Sequence, residues 1–362
     1  MSESNEKTNM MDSVKKSVKK RVGGTEPAMR LRELMDELPQ ICRDFLDGIA
    51  DRTSVKTRLA YAYDMRVFLG WLTSAHAPMA GRDALDLTAD DISLLTARDV
   101  ERYQSYLTYY KSKQDAEVRE NAAQGKMRKL ASLRSFFKYL FLHDYVKANT
   151  ASLIPLPKPK EKPIIHLEPD ESAKLLDATE TGDSLSSRQL IYHAKLSARD
   201  TAILTLMLGT GIRVSECVGL NIADVNFNEN AFKVTRKGGD VVILYFSDEV
   251  ADALRKYMVA RLQIPAVAGH EEALFLSLQK KRLTARAVEN LTQKYARAAA
   301  PLKKITPHKL RSTYGTQLYR ESGDIYLVAD VLGHADVNTT RKHYAAINED
   351  RRRQASKMVK LR

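Results

Sequence analysis

A proline- and lysine-rich run in the middle of the chain restricts its fold more than any other feature. The run PLPKPKEKP, residues 155–163, has four prolines at alternate or near-alternate positions. Because proline lacks an amide proton and has a fixed φ, such a run cannot lie inside a helix or a sheet. We predict an extended basic linker over residues 155–165, and the 362 residues of the chain are enough for a domain on each side.

The part of the chain before the linker has apolar residues at helical spacing throughout. This periodicity predicts an all-helical domain over residues 29–154, with Ser54 as the cap of one helix and another helix beginning near Thr96. Residues 1–28 are polar and rich in lysine, which predicts a disordered basic tail.

The last predicted helix of this domain, GKMRKLASLRSFFKYLFLHDYV, has one apolar side and one cationic side. A cationic side suits a helix that lies against a DNA backbone, although an ordinary solvated surface has the same pattern. Cations of the linker and of the second domain extend this basic set. The predicted DNA-binding residues are Lys126, Arg128, Lys129, Arg134, Lys158, Lys160 and Arg236.

The charge of the chain favours a polyanionic partner. The formal net charge is +13, which points to nucleic acid before an anionic membrane surface, although a basic soluble enzyme would carry such a charge too. No apolar run approaches the roughly 18 residues of a membrane span. The polar start has no secretory h-region, so no secretory signal is predicted and we expect a cytoplasmic protein.

Several kinds of cofactor and metal site lack support in the sequence. There is no C-x-x-C pair, no Walker-type glycine loop and no H-E-x-x-H, so no cofactor and no metal ion is predicted. Cys42 and Cys217 each lie in a helical apolar pattern and are expected to be reduced core residues.

The second domain is predicted over residues 166–347, with helices on either side of one hairpin. Its first helix is expected to enter through Pro169, and the apolar run ARDTAILTLML predicts a helix over residues 198–208. The β-forming runs AFKVTRK and DVVILYF flank a pair of glycines and predict an antiparallel hairpin. From residue 248 to residue 320 the pattern is again helical.

Two arginines and a histidine of this domain have the spacing of a phosphate-binding group. Arg213 follows a glycine turn, and Glu216, one helical turn later, is its natural ion-pair partner. His308 and Arg311 share one side of a helix that Pro307 begins. Arginines held in this way can donate to a phosphate in a bidentate manner, while structural ion pairs and surface cations are the alternatives.

Three further residues complete a set that suits phosphoryl transfer without a metal. Lys237 lies at the predicted hairpin tip, from which a lysine can give a proton to a leaving oxygen. His334 follows a glycine and is a further donor. Tyr344 is a phenol that needs cations around the phosphate to attack it. A solvated lysine and a core tyrosine are the alternative interpretations.

In this order the residues resemble the tyrosine recombinase family. The segments GTGIRVSECVGL, HKLRSTYGTQL and VLGH, with the hairpin lysine and the final tyrosine, match the family order of Arg, Lys, His-x-x-Arg, His and Tyr. The similarity covers the chain from residue 29 onward and is greatest to the Xer-like branch. Tyr344 follows His334 by ten positions, one more than is usual in Xer-like relatives, so we expect one inserted residue between them.

The resemblance implies a fold class and an activity. The fold is mainly α, a two-domain C-shaped clamp with a helical core-binding (SAM-like) DNA-binding domain and a mixed α catalytic domain that has a small antiparallel β-sheet. The implied activity is site-specific DNA recombination through a 3′-phosphotyrosyl intermediate and a Holliday junction. A catalytically silent DNA-binding protein and a type IB topoisomerase are the alternatives.

The resemblance also implies a role for each residue of the site. Tyr344 is the nucleophile, Lys237 is the general acid for the 5′-hydroxyl leaving group, and Glu216 is a supporting acidic residue. No cofactor is implied, since exchanging a phosphodiester for a phosphotyrosine conserves bond energy. The non-bridging oxygens of the scissile phosphate are bound by Arg213, His308, Arg311 and His334.

The implied partner is double-stranded DNA whose site has inverted binding arms, held in pairs by a homotetramer. Residues 348–362 are expected to dock on a neighbouring protomer, the alternative being a frayed charged terminus. A paralogous recombinase or a regulatory protein is a further partner left open. Resolution of chromosome dimers is the leading role, and the integrase or transposase of a mobile element is the alternative.

Overall fold

The computed structural model describes residues 25–111, 118–157, 164–183, 185–236 and 239–333, together with residue 337. The chain divides into two compact units, Met1–Glu161 and Lys162–Arg362, so their boundary falls within the linker segment of residues 155–165. Within the described ranges, no helix is long and apolar enough to cross a membrane.

The first unit consists mainly of helices. They are α1 (Thr25–Asp36), α2 (Gln40–Gly48), α3 (Val55–Ala75), α4 (Ala89–Ser93), α5 (Ala97–Tyr106) and α6 (Ala123–Leu142). A short antiparallel pair, β1 (Tyr109–Lys111) and β2 (Val118–Glu120), lies between α5 and α6. Single turns of 3₁₀ helix occur at Ala50–Arg52, Ala77–Met79, Ala84–Asp86 and Thr150–Ser152.

The predicted helix starts are confirmed, and two other predictions for this unit need correction. The Ser54 hydroxyl accepts a hydrogen bond from the Thr57 amide and caps α3, and Thr96 precedes α5. The all-helical prediction is wrong at β1 and β2, because strands of three residues are too short to show a period. Helix α1 begins at Thr25, inside the predicted tail of residues 1–28, since Pro27 is tolerated in a first helical turn.

Aromatic side chains form the centre of the first unit's core. Phe45, Phe68 and Phe136 are fully buried, and the rings of Phe45 and Phe136 meet edge to face with centroids 5.3 Å apart. Cys42 lies among them as a free thiol, as predicted. Burial raises the pKa of this thiol, so it is packed as an apolar group.

The second unit places helices around a three-stranded sheet. Its helices are α7 (Pro169–Thr181), α8 (Ser187–Thr210), α9 (Val214–Gly219), α10 (Asp248–Leu262), α11 (Ala285–Ala299), α12 (Pro307–Ser322) and α13 (Ile325–Leu332), with a 3₁₀ turn at Ile222–Asp224. The strands are β3 (Val225–Asn226), β4 (Ala231–Thr235) and β5 (Val241–Tyr245), in the antiparallel order β3-β4-β5. The predicted hairpin is confirmed as β4 and β5, with Phe232 opposite Leu244.

Helix α8 runs through the core of the second unit and packs against α7, α10 and α12. It begins at Ser187, eleven residues before the predicted helix of residues 198–208, because the Ser186 hydroxyl caps it by accepting a hydrogen bond from the Gln189 amide. Residues 263–284 are irregular, although the sequence predicted helix there. Gly269 and Lys280 have positive φ angles of 83° and 59°, which a continuous helix does not allow.

Candidate active site

Arg213 is the N-cap residue of helix α9 and is bonded to Glu216, the acidic residue predicted from the sequence as its partner. The Glu216 carboxylate accepts from the Arg213 amide at 3.0 Å and from Nη1 at 2.8 Å. The Glu216 side chain is 5% exposed and that of Arg213 is 36% exposed. The buried carboxylate therefore fixes one edge of the guanidinium, while part of the group still reaches solvent.

Arg311 lies one turn into α12 and is buried. Its Nη1 donates to the carbonyl oxygen of Gly211 at 2.6 Å, and its Nη2 donates to the carbonyl oxygen of Leu332. Gly211 is the left-handed residue that ends α8, with φ 61°. The bond to its carbonyl brings Arg311 close to the Arg213 segment, two residues further along the chain.

Both arginines reach the C-terminal end of α13. Arg213 Nη2 donates to the carbonyl oxygens of Leu332 at 3.5 Å and Gly333 at 2.9 Å, so it shares the Leu332 oxygen with Arg311. A helix C-terminus has unpaired carbonyl groups and a partial negative charge, which attracts guanidinium groups. The two arginines predicted to bind one phosphate are thus brought to one oxygen atom.

Two glycines make this convergence sterically feasible. A Cβ atom on Gly211 would lie 2.5 Å from the Tyr314 ring and 2.9 Å from a Leu332 methyl group. Gly333 ends α13 in the left-handed region, with φ 57°. A side chain at position 211 would push this segment away from Tyr314 and Leu332, and one at position 333 would strain the left-handed backbone there.

His308 lies in the first turn of α12, three residues before Arg311, as the sequence predicted. Its side chain is exposed, unlike that of Arg311. The two residues therefore differ in setting: one guanidinium is fixed by buried bonds, while the imidazole lies on the accessible side of the same turn.

Several predicted residues lie outside the described part of the chain. They are Lys237, His334, Tyr344, Lys158 and Lys160, together with the expected insertion before Tyr344 and the segment 348–362. Among the described residues no group of three His, Cys, Asp or Glu side chains could hold a metal ion.

The cations predicted on the DNA-facing side of α6 are tied to their own unit. Arg128 donates to both oxygens of the buried Asp64 carboxylate at 2.6 Å each, and Lys126 donates to the Thr108 hydroxyl at 2.9 Å. Lys129 needs correction: its side chain is buried rather than solvent-facing, and it donates to Asn121.

Arg134 is likewise engaged with the backbone of its own unit. Its guanidinium donates to the carbonyl oxygens of Ala151 at 3.1 Å, Ser152 at 3.4 Å and Ile154. The spacing of cations along α6 could not predict these bonds. The partners are one distant carboxylate, Asp64, and main-chain carbonyl groups, and neither follows a helical spacing. The sequence analysis did not predict the exposed carbonyl groups at the end of α13. Gly333, which follows an apolar helix, could have indicated this helix C-terminus.

Comparison with known proteins shows the family to which this chain is related. The sequence profile of the phage integrase family matches residues 166–351. The tyrosine recombinase XerC of Caldanaerobacter subterraneus subsp. tengcongensis is 30% identical over 325 residues, which cover 88% of this chain and 86% of that protein. The XerC of Thermodesulfovibrio yellowstonii is 35% identical over 217 residues, which cover 59% of this chain and 68% of that protein.

Solved structures with the same fold include two recombinases bound to DNA. The XerH site-specific recombinase in a post-cleavage complex has a TM-score of 0.63 at 18% identity, over 92% of this chain and 90% of that one. The Tn1549 transposon integrase with transposon right end DNA has a TM-score of 0.62 at 20% identity, over 87% of this chain and 99% of that one.

This chain belongs to the phage integrase family of tyrosine recombinases, enzymes that cut and rejoin DNA through a covalent tyrosine intermediate. Within the family it is a Xer-like site-specific recombinase. The resemblance predicted from the order of Arg, Lys, His-x-x-Arg, His and Tyr is therefore confirmed, as is a mainly α fold with a small antiparallel sheet.

Proposed function

We propose that Tyr344 attacks a DNA phosphate held by Arg213 and Arg311, and that this step begins site-specific recombination. The observation that carries the proposal is the sharing of the Leu332 carbonyl oxygen by the two guanidinium groups. Groups that converge on one oxygen of the protein are spaced to converge on an oxygen of a phosphate. Phosphoryl transfer requires mainly such positioning and charge stabilisation.

The proposed cleavage step exchanges one phosphoester bond for another. The Tyr344 oxygen loses its proton and bonds to phosphorus, while the bond from phosphorus to the 5′ oxygen breaks. Lys237 gives a proton to that oxygen, which leaves as a 5′ hydroxyl. His308 and His334 donate to the phosphate beside the arginines, and Glu216 holds Arg213 in place.

Rejoining reverses this step with a 5′ hydroxyl from a second DNA site. We therefore propose that four protomers hold two duplexes with inverted binding arms and exchange strands in pairs through a Holliday junction. Residues 348–362, which contain apolar residues on a basic segment, would join neighbouring protomers. Deletion of residues 351–362 should then impair synapsis and leave binding of a single protomer intact; recombination at the full rate would argue against this role.

The proposed biological role is the resolution of chromosome dimers in the cytoplasm, at the nucleoid. It is supported by similarity to curated XerC proteins along most of the chain. A plasmid with two copies of the site distinguishes recombinase activity from the activity of a type IB topoisomerase. Recombined circles support the recombinase, and circles that are only relaxed would support the topoisomerase.

The decisive experiment traps the covalent intermediate. A nicked duplex that loses a short 5′ fragment after cleavage should leave DNA attached to the wild-type protein on a denaturing gel. Tyr344→Phe should bind the same DNA and form no adduct, because it has no phenol oxygen. Adducts that persist in Tyr344→Phe would exclude Tyr344 as the nucleophile. Sequencing the trapped DNA would identify the site.

A further inference from the structure

Arg236 was predicted to contact DNA, but its side chain is directed into its own unit. It follows β4 directly and precedes Lys237 in the chain. Its Nη2 donates to the carbonyl oxygen of Val331 at 3.0 Å. Its Nε is buried and has no hydrogen-bond partner among the described residues. A residue kept free to reach a DNA backbone would expose these nitrogen atoms to solvent.

The guanidinium of Arg236 lies directly against Gly333, the residue that precedes His334. A Cβ atom on Gly333 would lie 2.0 Å from Nη1 and 2.3 Å from Cζ of Arg236. Such close contact exists only because position 333 has no side chain. Arg236, which precedes the predicted general acid Lys237, is therefore packed against Gly333, which precedes the predicted phosphate ligand His334.

The backbone of Arg236 fixes the base of the hairpin tip. The Arg236 amide donates to the Asp240 carbonyl at 2.8 Å, and its carbonyl accepts from the Gly239 amide at 3.0 Å. Arg236 therefore continues the ladder of β4 and β5 by one residue. A movement of its side chain relative to α13 would move the attachment point of Lys237.

We propose that Arg236 is a positioning residue, which holds the hairpin against the end of α13 and so places Lys237 at the leaving oxygen of the DNA. The inference rests on the proposed function, which assigns Lys237 as the general acid. Misplacement of a catalytic group by about 1 Å can lower a rate about 10²-fold. With Val331 and Gly333 as its contacts, Arg236 acts on the reaction through Lys237 and makes no contact with the DNA.

The test compares Arg236→Ala with Lys233→Ala, which removes an equal charge from an exposed position on the same hairpin. Binding is measured as a function of salt, and single-turnover cleavage is measured at saturating DNA. Arg236→Ala should bind DNA within about twofold of wild type, because no phosphate contact is lost, and cleave it about 10²-fold more slowly. Lys233→Ala should keep the wild-type cleavage rate.

A substrate with a sulfur atom at the 5′ bridging position identifies the step that Arg236 affects. A thiolate leaves without a proton, so this substrate should restore cleavage by Arg236→Ala to near the wild-type rate. Arg236→Lys, which keeps a donor for the Val331 carbonyl, should be less impaired on ordinary DNA. Slow cleavage of the sulfur substrate would overturn the proposal. A second result would also overturn it: Arg236→Ala cleaves at the normal rate at saturating DNA but binds DNA more weakly, and the slope of log affinity against log salt is smaller by about 1. Those changes are expected from the loss of one phosphate contact.

A second substitution tests the contact itself. Gly333→Ala forces a methyl group into the Arg236 guanidinium, and it strains the backbone equally whether or not Arg236 is present. Gly333→Ala should therefore slow cleavage more in the wild-type background than in Arg236→Ala, and equal effects would overturn the proposal. Failure of the proposed function gives a different result, namely adducts in Tyr344→Phe whatever residue is present at position 236.

Discussion

In the first unit Arg128 donates to the buried Asp64 carboxylate, whereas in the second unit Arg311 donates to the carbonyl oxygens of Gly211 and Leu332. A carboxylate carries a counter-charge and makes the pair part of the fold. A carbonyl satisfies guanidinium protons without adding a counter-charge. The same residue type thus pairs with a buried carboxylate in one unit and bonds to main-chain carbonyl oxygens in the other, where we propose that it binds a phosphate.

The largest effect is expected at Arg213 in the second unit. Arg213→Lys cannot donate in the bidentate manner of a guanidinium, so it should lower the cleavage rate by about 10²- to 10³-fold while the protein stays folded. Single-turnover cleavage and thermal unfolding measure the two quantities. Arg255→Ala, at an exposed arginine of α10, is the control and should cleave normally. A large loss of stability in Arg213→Lys would contradict the comparison.

The second largest effect is a loss of stability that we expect on substitution of Arg128 in the first unit. The Asp64 side chain is 1% exposed, and its burial raises the pKa of the carboxyl, which opposes its charged form. Arg128→Met removes the two charged hydrogen bonds that this buried carboxylate accepts from Arg128, and only Lys129 and Ser132 remain as its neighbours among those that stabilise its charge. The free energy of unfolding should fall by about 3 kcal/mol. Denaturant unfolding measures the change, and adding Asp64→Asn should recover part of it. Lys138→Met, exposed on the same helix, is the control.

Stability unchanged in Arg128→Met, with weaker and less salt-dependent DNA binding, would restore the prediction that Arg128 is a phosphate contact.

A smaller loss of stability is expected at Arg134. Its guanidinium donates to three backbone carbonyls near the end of the first unit, and Arg134→Met should cost about 1–2 kcal/mol because these acceptors lose a partner. Amide hydrogen exchange should rise in the segment 150–154 and stay unchanged in α3. Exchange that rises throughout the unit would indicate global unfolding and not the loss of a local clamp.

The smallest effect belongs to an exposed pair in the first unit. Arg82 holds the pKa of Asp91 at about 2, below its usual value. Folding therefore favours the ionised carboxylate, and this contribution is present above about pH 4 and is lost as the pH falls toward 2. Because the pair is partly exposed, solvent screens it and its contribution to stability is small. The stability gap between wild type and Asp91→Asn should narrow as the pH is lowered from 5 to 2.

The sequence allowed the helical architecture, the hairpin and the position of Arg213, Glu216, His308 and Arg311 on their elements to be predicted. Each of these depends on local spacing or on a capping residue such as Ser54. The short strand pair β1 and β2 was missed because three residues show no period. The partners of Arg128 and Arg311 were missed because Asp64 and Leu332 are distant in the chain, and long-range contacts leave no local pattern.

The carbonyl oxygen of Leu332 belongs to the main chain, so no side-chain substitution removes it. A mutational scan at position 332 would report on the packing of the leucine, which is 1% exposed, and would not detect the acceptor. An ester in place of the peptide bond between Leu332 and Gly333 would weaken that acceptor and leave every side chain unchanged. The role of the Leu332 carbonyl oxygen can therefore be tested by changing the main chain chemically, whereas amino-acid substitutions cannot remove this atom.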